Sequence, residues 1–380
     1  MGRHQTIRVC HLISGDLWAG AEAQAFNMIT ALTACDELEL SAILLNEGKL
    51  AALLRQSGLR VTVIEEAGHG FWAIRGRVVD ELTKRPVNII HSHRYKENIL
   101  AAMLKKRCRV RGLVQTVHGV TEMFSGVKNL KGQLYDRANR FVTRRYFERI
   151  QPVSHDIERQ FRGLYNPDRI TTIHNAVDPV KIVPSRSSVE LRKELQVAPD
   201  QPIIGSLGRM VPVKNYELFL QMAGLIHHKR PEVCFVLAGD GPLKDRYMAL
   251  AQSNGLGETV KFLGFRHDVW DILNGLDLFV MTSHHEGIPV VLLEAMTLKK
   301  PCISTAVGGI TEVIEPDQSG ILTPPGDAEA LADACVKLLA DTGLRERMGL
   351  AARARVQEEF SVDLQRQRLL AVYREVMALA

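Results

Sequence analysis

The 380-residue chain contains no Cys-x-x-Cys pair, and its six cysteines, Cys10, Cys35, Cys108, Cys234, Cys302 and Cys335, are scattered. Free thiols inside apolar runs, such as Cys10 and Cys234, suit a reducing compartment and exclude a disulfide scaffold. No run approaches the roughly 18 consecutive apolar residues that a spanning helix requires. The first residues, MGRHQTIRVCHLI, hold no apolar stretch ending in small residues, so a signal peptide is not expected. A cytoplasmic protein, at most peripheral to the inner face of the cell membrane, is the expectation. The fingerprint G-x-G-x-x-G is missing, which argues against a typical dinucleotide oxidoreductase. There is no short-period repeat and no low-complexity segment. Metal-ligand spacing is also sparse. His91 and His93 alternate along one strand face, but RYKEN follows them, and the adjacent pairs His227–His228 and His284–His285 cannot converge on one ion.

What is present is an ordinary globular composition, 46% hydrophobic and 24% charged with a formal net charge of +5, and enough chain for two cores. Short apolar runs alternate with helical patterns. Strands are expected at 7–13, 40–45, 61–64, 87–91 and 112–117, with a helix from about Ala21 to Thr33. The segment 178–201 has many prolines and no sustained period, and reads as a linker. The pattern then restarts, with strands at 202–208, 233–239, 259–264, 276–282 and 302–305 and closing helices at about 327–340, 342–358 and 361–379. This βα alternation implies an α/β protein of two doubly wound, Rossmann-like domains, 1–177 and 202–360, facing across a cleft at the carboxyl ends of their sheets.

The segment TSHHEGIPVVLLEAM (282–296) carries the most chemistry. Glu286 and Glu294 stand eight apart, Gly287 permits close approach, and Pro289 fits a first helical turn whose free amides favour a phosphate. Glu294 lies in an apolar stretch and needs partners. Ribose hydroxyls would serve, as would a nearby cation. In GSLGRMVPVKNYELF, Arg209 and Lys214 fall at a sheet's carboxyl edge and suit a diphosphate leaving group, or else are solvated loop cations. LAGDGPL places Gly239 in a turn after a strand and FLGFRHD places Phe265 and Arg266 after another, as candidate substrate contacts with the pair bordering a flat base, or else as plain strand-to-helix loops. In the first half, GDLWAGAEAQ sets Gly20 between the first strand and helix. His118 ends a strand, where a histidine serves either packing or a ligand.

Residues 105–149 are locally basic. Lys105, Lys106, Arg107, Arg109, Arg111, Lys128, Lys131, Arg137, Arg140, Arg144, Arg145 and Arg149 face only Glu122, Asp136 and Glu148, with Leu134, Tyr135, Phe141 and Phe147 between them. Such a helix either docks on an anionic membrane or is a solvated face, and residues 128–149 are the candidate contact. No nucleic-acid module accompanies it.

Taken in order, GRMVPVKN, AGDGPL, the E-x7-E of Glu286 and Glu294, and AVGGITEVI (306–314) resemble the GT-B-fold retaining glycosyltransferases of family 4, the group 1 transferases. The resemblance covers the whole chain and is strongest from Gly205 to Val313. It implies an acceptor-side first domain, a donor-binding second domain, and a last helix, 361–380, that crosses back to the first. It implies a UDP- or GDP-sugar donor and a lipid-linked, polysaccharide or small-molecule acceptor, in cell-surface glycan synthesis. It also implies roles. Arg209 and Lys214 hold the diphosphate, Glu286 the sugar hydroxyls, Gly287 and Ile288 the sugar and phosphate through their amides, and Glu294 the ribose. Gly20 lies near the phosphates, His118 near the reacting carbon, and Asn175, in HNAVD, at the domain junction. No metal or other cofactor is expected, in keeping with the absence of D-x-D. Ile288 stands where phenylalanine is commoner, which bears on the donor-sugar pocket. The alternatives are a nucleotide-sugar epimerase or hydrolase on the same fold, or a non-catalytic nucleotide-sugar binder.

Overall fold

The computed structural model describes residues 6–16, 18, 20–119 and 130–379. The chain forms two compact units, one of Met1–Ala176 with Val362–Ala380 and the other of Val177–Ser361.

The first unit is built on β1 (Ile7–Ile13), β2 (Leu38–Leu44), β3 (Arg60–Val63), β4 (Ile89–Ser92), β5 (Gly112–Val117) and β6 (Arg149–Pro152), all parallel in the order β3-β2-β1-β4-β5-β6. Side chains alternate between faces along a strand. Val9, Ile89 and Val114 accordingly enter one core, while Cys10, Ile90 and Leu113 enter the other. Helices cover both faces, which is why the strands read as unbroken apolar runs. The helix Val362–Leu379 closes the first of these cores through Leu369, Val372, Tyr373 and Val376. Gly112 makes room for it, since a Cβ there would sit 2.0 Å from Val376 Cγ1.

The second unit repeats the plan with β7 (Ile203–Leu207), β8 (Cys234–Ala238), β9 (Val260–Gly264), β10 (Leu278–Met281), β11 (Cys302–Thr305) and β12 (Ile321–Thr323), again parallel, in the order β12-β11-β10-β7-β8-β9. Val236 and Phe279 face one core, and Phe235, Leu278 and Val280 the other. In each sheet the strand order reverses once, between β1 and β4 and between β7 and β10. Loops leaving the carboxyl ends at such a reversal part to opposite faces and open a crevice.

The segment 178–201, expected as a linker, is folded into the second unit. Its helix Ser188–Glu194 opens with a capping box of Ser187 and Glu190. Leu191 is fully buried against Gly275, where a Cβ would meet it at 2.2 Å. The Asp271 carboxylate accepts the backbone N–H groups of Ser185 (2.6 Å) and Arg186 (2.9 Å) and the Ser185 hydroxyl (2.7 Å). The prolines mark bends in a packed strap, not a free tether. Among the described residues no helix is long and apolar enough to cross a membrane.

Candidate active site

In the second unit, three loops at the carboxyl edge are stitched side by side. Gly208 N donates to Ala238 O (2.9 Å), Met210 N to Asp240 O (2.8 Å) and Gly239 N to Gly264 O (2.7 Å). Gly239 has φ 142°, and a Cβ there would lie 1.9 Å from Gly208 O. The residue is therefore glycine because backbone packs on backbone. This packing holds the loop that carries Arg209 against the loop after β8. Arg209 is exposed, and its guanidinium makes no hydrogen bond or ion pair among the described residues.

The loops after β7 and β10 meet at the reversal point. The Thr282 hydroxyl donates to Lys214 O (3.1 Å) and Asn215 O (3.0 Å), and His284 N to Val213 O (2.8 Å). This brings Lys214 Nζ to 2.6 Å from Glu286 Oε1, which also accepts the Ser283 hydroxyl at 2.6 Å. Both side chains are mostly covered, so the pair is firmer than a surface ion pair. From the other side Gly308, at φ 50°, supports Glu286: a Cβ would stand 2.0 Å from Glu286 O, which also accepts Gly309 N at 3.0 Å.

Pro289 is the N-cap of the helix Val290–Thr297 and not a residue of its first turn. No side chain caps that turn, so its leading amides stay available beside Gly287. Ile288 is buried in the core, so only its backbone faces the site and its side chain cannot shape a sugar pocket directly. Glu294 accepts the Trp270 indole N–H at 2.9 Å on one oxygen. Burial pushes its carboxyl up to about 7 against the downward pull of that bond. The other oxygen has no partner among the described residues.

Phe265, just beyond β9, is 53% exposed and meets His267 edge-on. Arg266 beside it is already engaged. Its guanidinium bonds Asp268 at 2.7 and 2.6 Å and Glu194 at 2.5 Å. The donors expected for a base are thus committed to pinning the strap 178–201, leaving the aromatic ring as the accessible group of the two.

In the first unit, Gly20 opens the helix Gly20–Leu32, with open space where a Cβ would be. Arg94, after β4, reaches Glu22 (2.5 Å) and Asp16 (3.5 Å). Asn175 is buried at the unit's edge, next to Ala176, whose N–H reaches Gln24 Oε1 at 3.3 Å. His118 follows β5, and its Nε2 lies 3.3 Å from His93 Nδ1. Nitrogens of His11, His91 and His93 lie within 4.8 Å of one another. A spacing search along the chain misses His11, because β1 and β4 are neighbours only in the sheet. Yet the rings of His91 and His93 are stacked at 11° with centroids 4.9 Å apart, and imidazole binds ions in its own plane, so one ion does not suit both.

The basic run divides. Lys105 pairs with Glu148, Arg149 with Glu375 and Arg140 with Asp136. Leu134, Tyr135, Arg137, Phe141, Arg144 and Arg145 are exposed along the helix Leu130–Tyr146. Glu122 and Lys128 lie outside the described residues, as does the side chain of Lys131.

Trp270, Ser283, Gly308 and His11 were not singled out in the sequence. Ser283 and Gly308 lie within the quoted motifs TSHHEGIPVVLLEAM and AVGGITEVI and His11 within the first strand, whereas Trp270 lies in none.

Comparison with known proteins bears on family and fold. Residues 18–181 match Glycosyltransferase Family 4, and residues 187–355 match Glycosyl transferases group 1. N-acetyl-alpha-D-glucosaminyl L-malate synthase of Bacillus anthracis is 28% identical over 309 residues, 80% of this chain and 79% of that one. UDP-Gal:alpha-D-GlcNAc-diphosphoundecaprenol alpha-1,3-galactosyltransferase of Escherichia coli is 29% identical over 265 residues, 68% of each chain. Anabaena HepE, solved in complex with UDP and glucose, superposes with a TM-score of 0.85 at 22% identity, over 97% of this chain and 100% of that one. The fold is therefore GT-B, and the chain belongs to the group 1 glycosyltransferases of glycosyltransferase family 4.

Proposed function

We propose that the enzyme moves a hexosyl group from a UDP- or GDP-sugar to a lipid-linked, polysaccharide or small-molecule acceptor, with retention of configuration and without a metal. The observation that carries this reading is the Lys214–Glu286 pair at the β7/β10 reversal, with Arg209 on the same β7 loop as Lys214 and Glu294 on the helix that follows Glu286. In this scheme Arg209, Lys214 and the leading amides of the helix Val290–Thr297 hold the diphosphate and take up the charge that grows as it departs. That is the work a metal would otherwise do. Glu286 accepts the sugar hydroxyls, and the free oxygen of Glu294 a ribose hydroxyl. Phe265 borders the base. His118 and Gly20 are the first unit's own candidates for contacts to a sugar and a phosphate. The bond from the anomeric carbon to the phosphate oxygen breaks with its electron pair on the phosphate. The acceptor oxygen attacks from the same face, and its proton passes to the departing phosphate. The names of the relatives above, one with a UDP-galactose donor and one joining N-acetylglucosamine to malate, support a nucleotide-sugar donor and leave a wide range of acceptors.

Thermal stabilisation by a panel of UDP-, GDP-, ADP- and dTDP-sugars in chelator tests the reading. A ligand at 100 times its Kd adds about 2.7 kcal/mol. One nucleotide class is expected to stabilise, and the shift to vanish in Glu294→Ala. The shift should also be larger at pH 8 than at pH 6. Because the folded carboxyl sits at about 7, raised from 4.5, it gains a proton as pH falls through that value and loses its capacity to accept hydroxyls. No shift with any nucleotide sugar sinks the proposal. A shift with donor breakdown that no acceptor accelerates points to the hydrolase or epimerase alternative.

We also propose that the exposed face of the helix Leu130–Tyr146, with Leu134 and Phe141 among Arg137, Arg144 and Arg145, rests on anionic lipid. Flotation with vesicles containing phosphatidylglycerol should carry the protein up, and Phe141→Ser with Leu134→Ser should leave it at the bottom. Equal flotation with neutral vesicles would refute the electrostatic part.

A further inference from the structure

His11, His93 and His118 form an unbranched file. His11 Nδ1 meets His93 Nε2 at 3.2 Å, and His93 Nδ1 meets His118 Nε2 at 3.3 Å. The two end atoms, His11 Nε2 and His118 Nδ1, are buried and have no hydrogen-bond partner among the described residues. His91 lies beside the file with both nitrogens engaged, Nδ1 by the Tyr373 hydroxyl at 2.7 Å and Nε2 by Thr116 Oγ1 at 2.8 Å. Burial pushes His11 and His118 down to about 3 and holds His91 and His93 well below the ordinary histidine value, so the rings are neutral at pH 7.

A neutral imidazole carries one ring proton. With both hydrogen bonds kept, the file has two proton arrangements. In one, every proton is on Nδ1, so each ring donates outward and His118 Nδ1–H is left at the outer end. In the other, every proton is on Nε2, and His11 Nε2–H is left at the inner end. A buried N–H without an acceptor is harder to tolerate than a bare acceptor. Both end nitrogens are covered, but His11 has no exposed surface at all, whereas His118 is partly exposed, so only the His118 end can gain an acceptor by a small shift of its ring. We infer that His11 and His93 set His118 in its Nδ1–H tautomer, so that this end of the file donates a hydrogen bond to an oxygen acceptor such as a sugar hydroxyl. The file is closed at His11, so it carries no proton through; it fixes a tautomer. His11 and His93 are positioning residues. The inference extends the proposed role of His118 toward the donor sugar, and its test uses no donor.

The full chain labelled with nitrogen-15 histidine reports the tautomer through long-range proton–nitrogen correlations, with His118 assigned by the signals lost in His118→Gln. In the ligand-free protein His118 should show a protonated Nδ1 and a bare Nε2, the reverse of the preference of free imidazole. A protonated Nε2 overturns the inference, whatever the donor panel gives. In His93→Phe the file is cut, and His118 should revert to Nε2–H. A folded His93→Phe protein that keeps Nδ1–H also overturns it. If that variant does not fold, the wild-type spectrum decides alone.

Discussion

Lys214→Ala should lower kcat by about 10²–10³-fold, equivalent to about 2.7–4 kcal/mol, the range for removing one preorganised group that stabilises developing charge. Two effects of the change act together. The leaving diphosphate loses a cation, and Glu286 loses its 2.6 Å partner and keeps only Ser283. Steady-state kinetics separate them through a cycle with Glu286→Ala. If Lys214 acts through Glu286 alone, the double variant is no slower than Glu286→Ala. If it acts on the phosphate, the double variant is slower still. Donor affinity should fall less than turnover, because charge grows on the phosphate only as the bond breaks. Unchanged kcat in Lys214→Ala would remove this lysine from the mechanism.

Gly308→Ala should destabilise the protein by about 2–3 kcal/mol and abolish most activity. The residue combines a left-handed backbone, φ 50°, with a site where a Cβ would stand 2.0 Å from Glu286 O. Left-handed conformation alone costs an L-residue about 1–2 kcal/mol. Gly255→Ala provides that cost in isolation, since φ there is 72° and nothing lies within 4 Å of the added carbon. Thermal denaturation of the two variants therefore separates strain from collision. The collision moves the Glu286 backbone, so Gly308→Ala should lose activity even where it remains folded, while Gly255→Ala should keep it. Equal stability of the two variants would mean that the loops part without cost.

Hydrophobic runs located the strands well because both faces of each sheet are covered. IRVCHLI and CIST match β1 and β11 residue for residue. The reversal of strand order that creates the crevice is a long-range property and does not show in any local pattern. The strap 178–201 misled for a related reason. Its helix is seven residues with one buried leucine, so periodicity had little to act on, although Ser187 and Glu190 already had capping-box spacing. At the candidate site, Arg209, Lys214, Glu286 and Glu294 stand out in the sequence because they are unusual where they stand, and the structure pairs Lys214 with Glu286. Their supports do not stand out. Trp270 lies 24 positions from Glu294 and has no motif. Arg266 was read as a ligand contact, yet its partner Glu194 is 72 positions away. Histidine spacing along one strand hid the neighbour on the next.

The last helix, Val362–Leu379, belongs to the core of the first unit, whereas the second unit is one continuous stretch, Val177–Ser361. During synthesis the later half can therefore be completed while the earlier half still waits for Leu369, Val372, Tyr373 and Val376. Until those residues leave the ribosome, Val9, Ile89 and Val114 lack part of their cover and His91 lacks the Tyr373 hydroxyl. The order of emergence is thus opposite to the order of completion: the unit begun first is the one whose core is closed last.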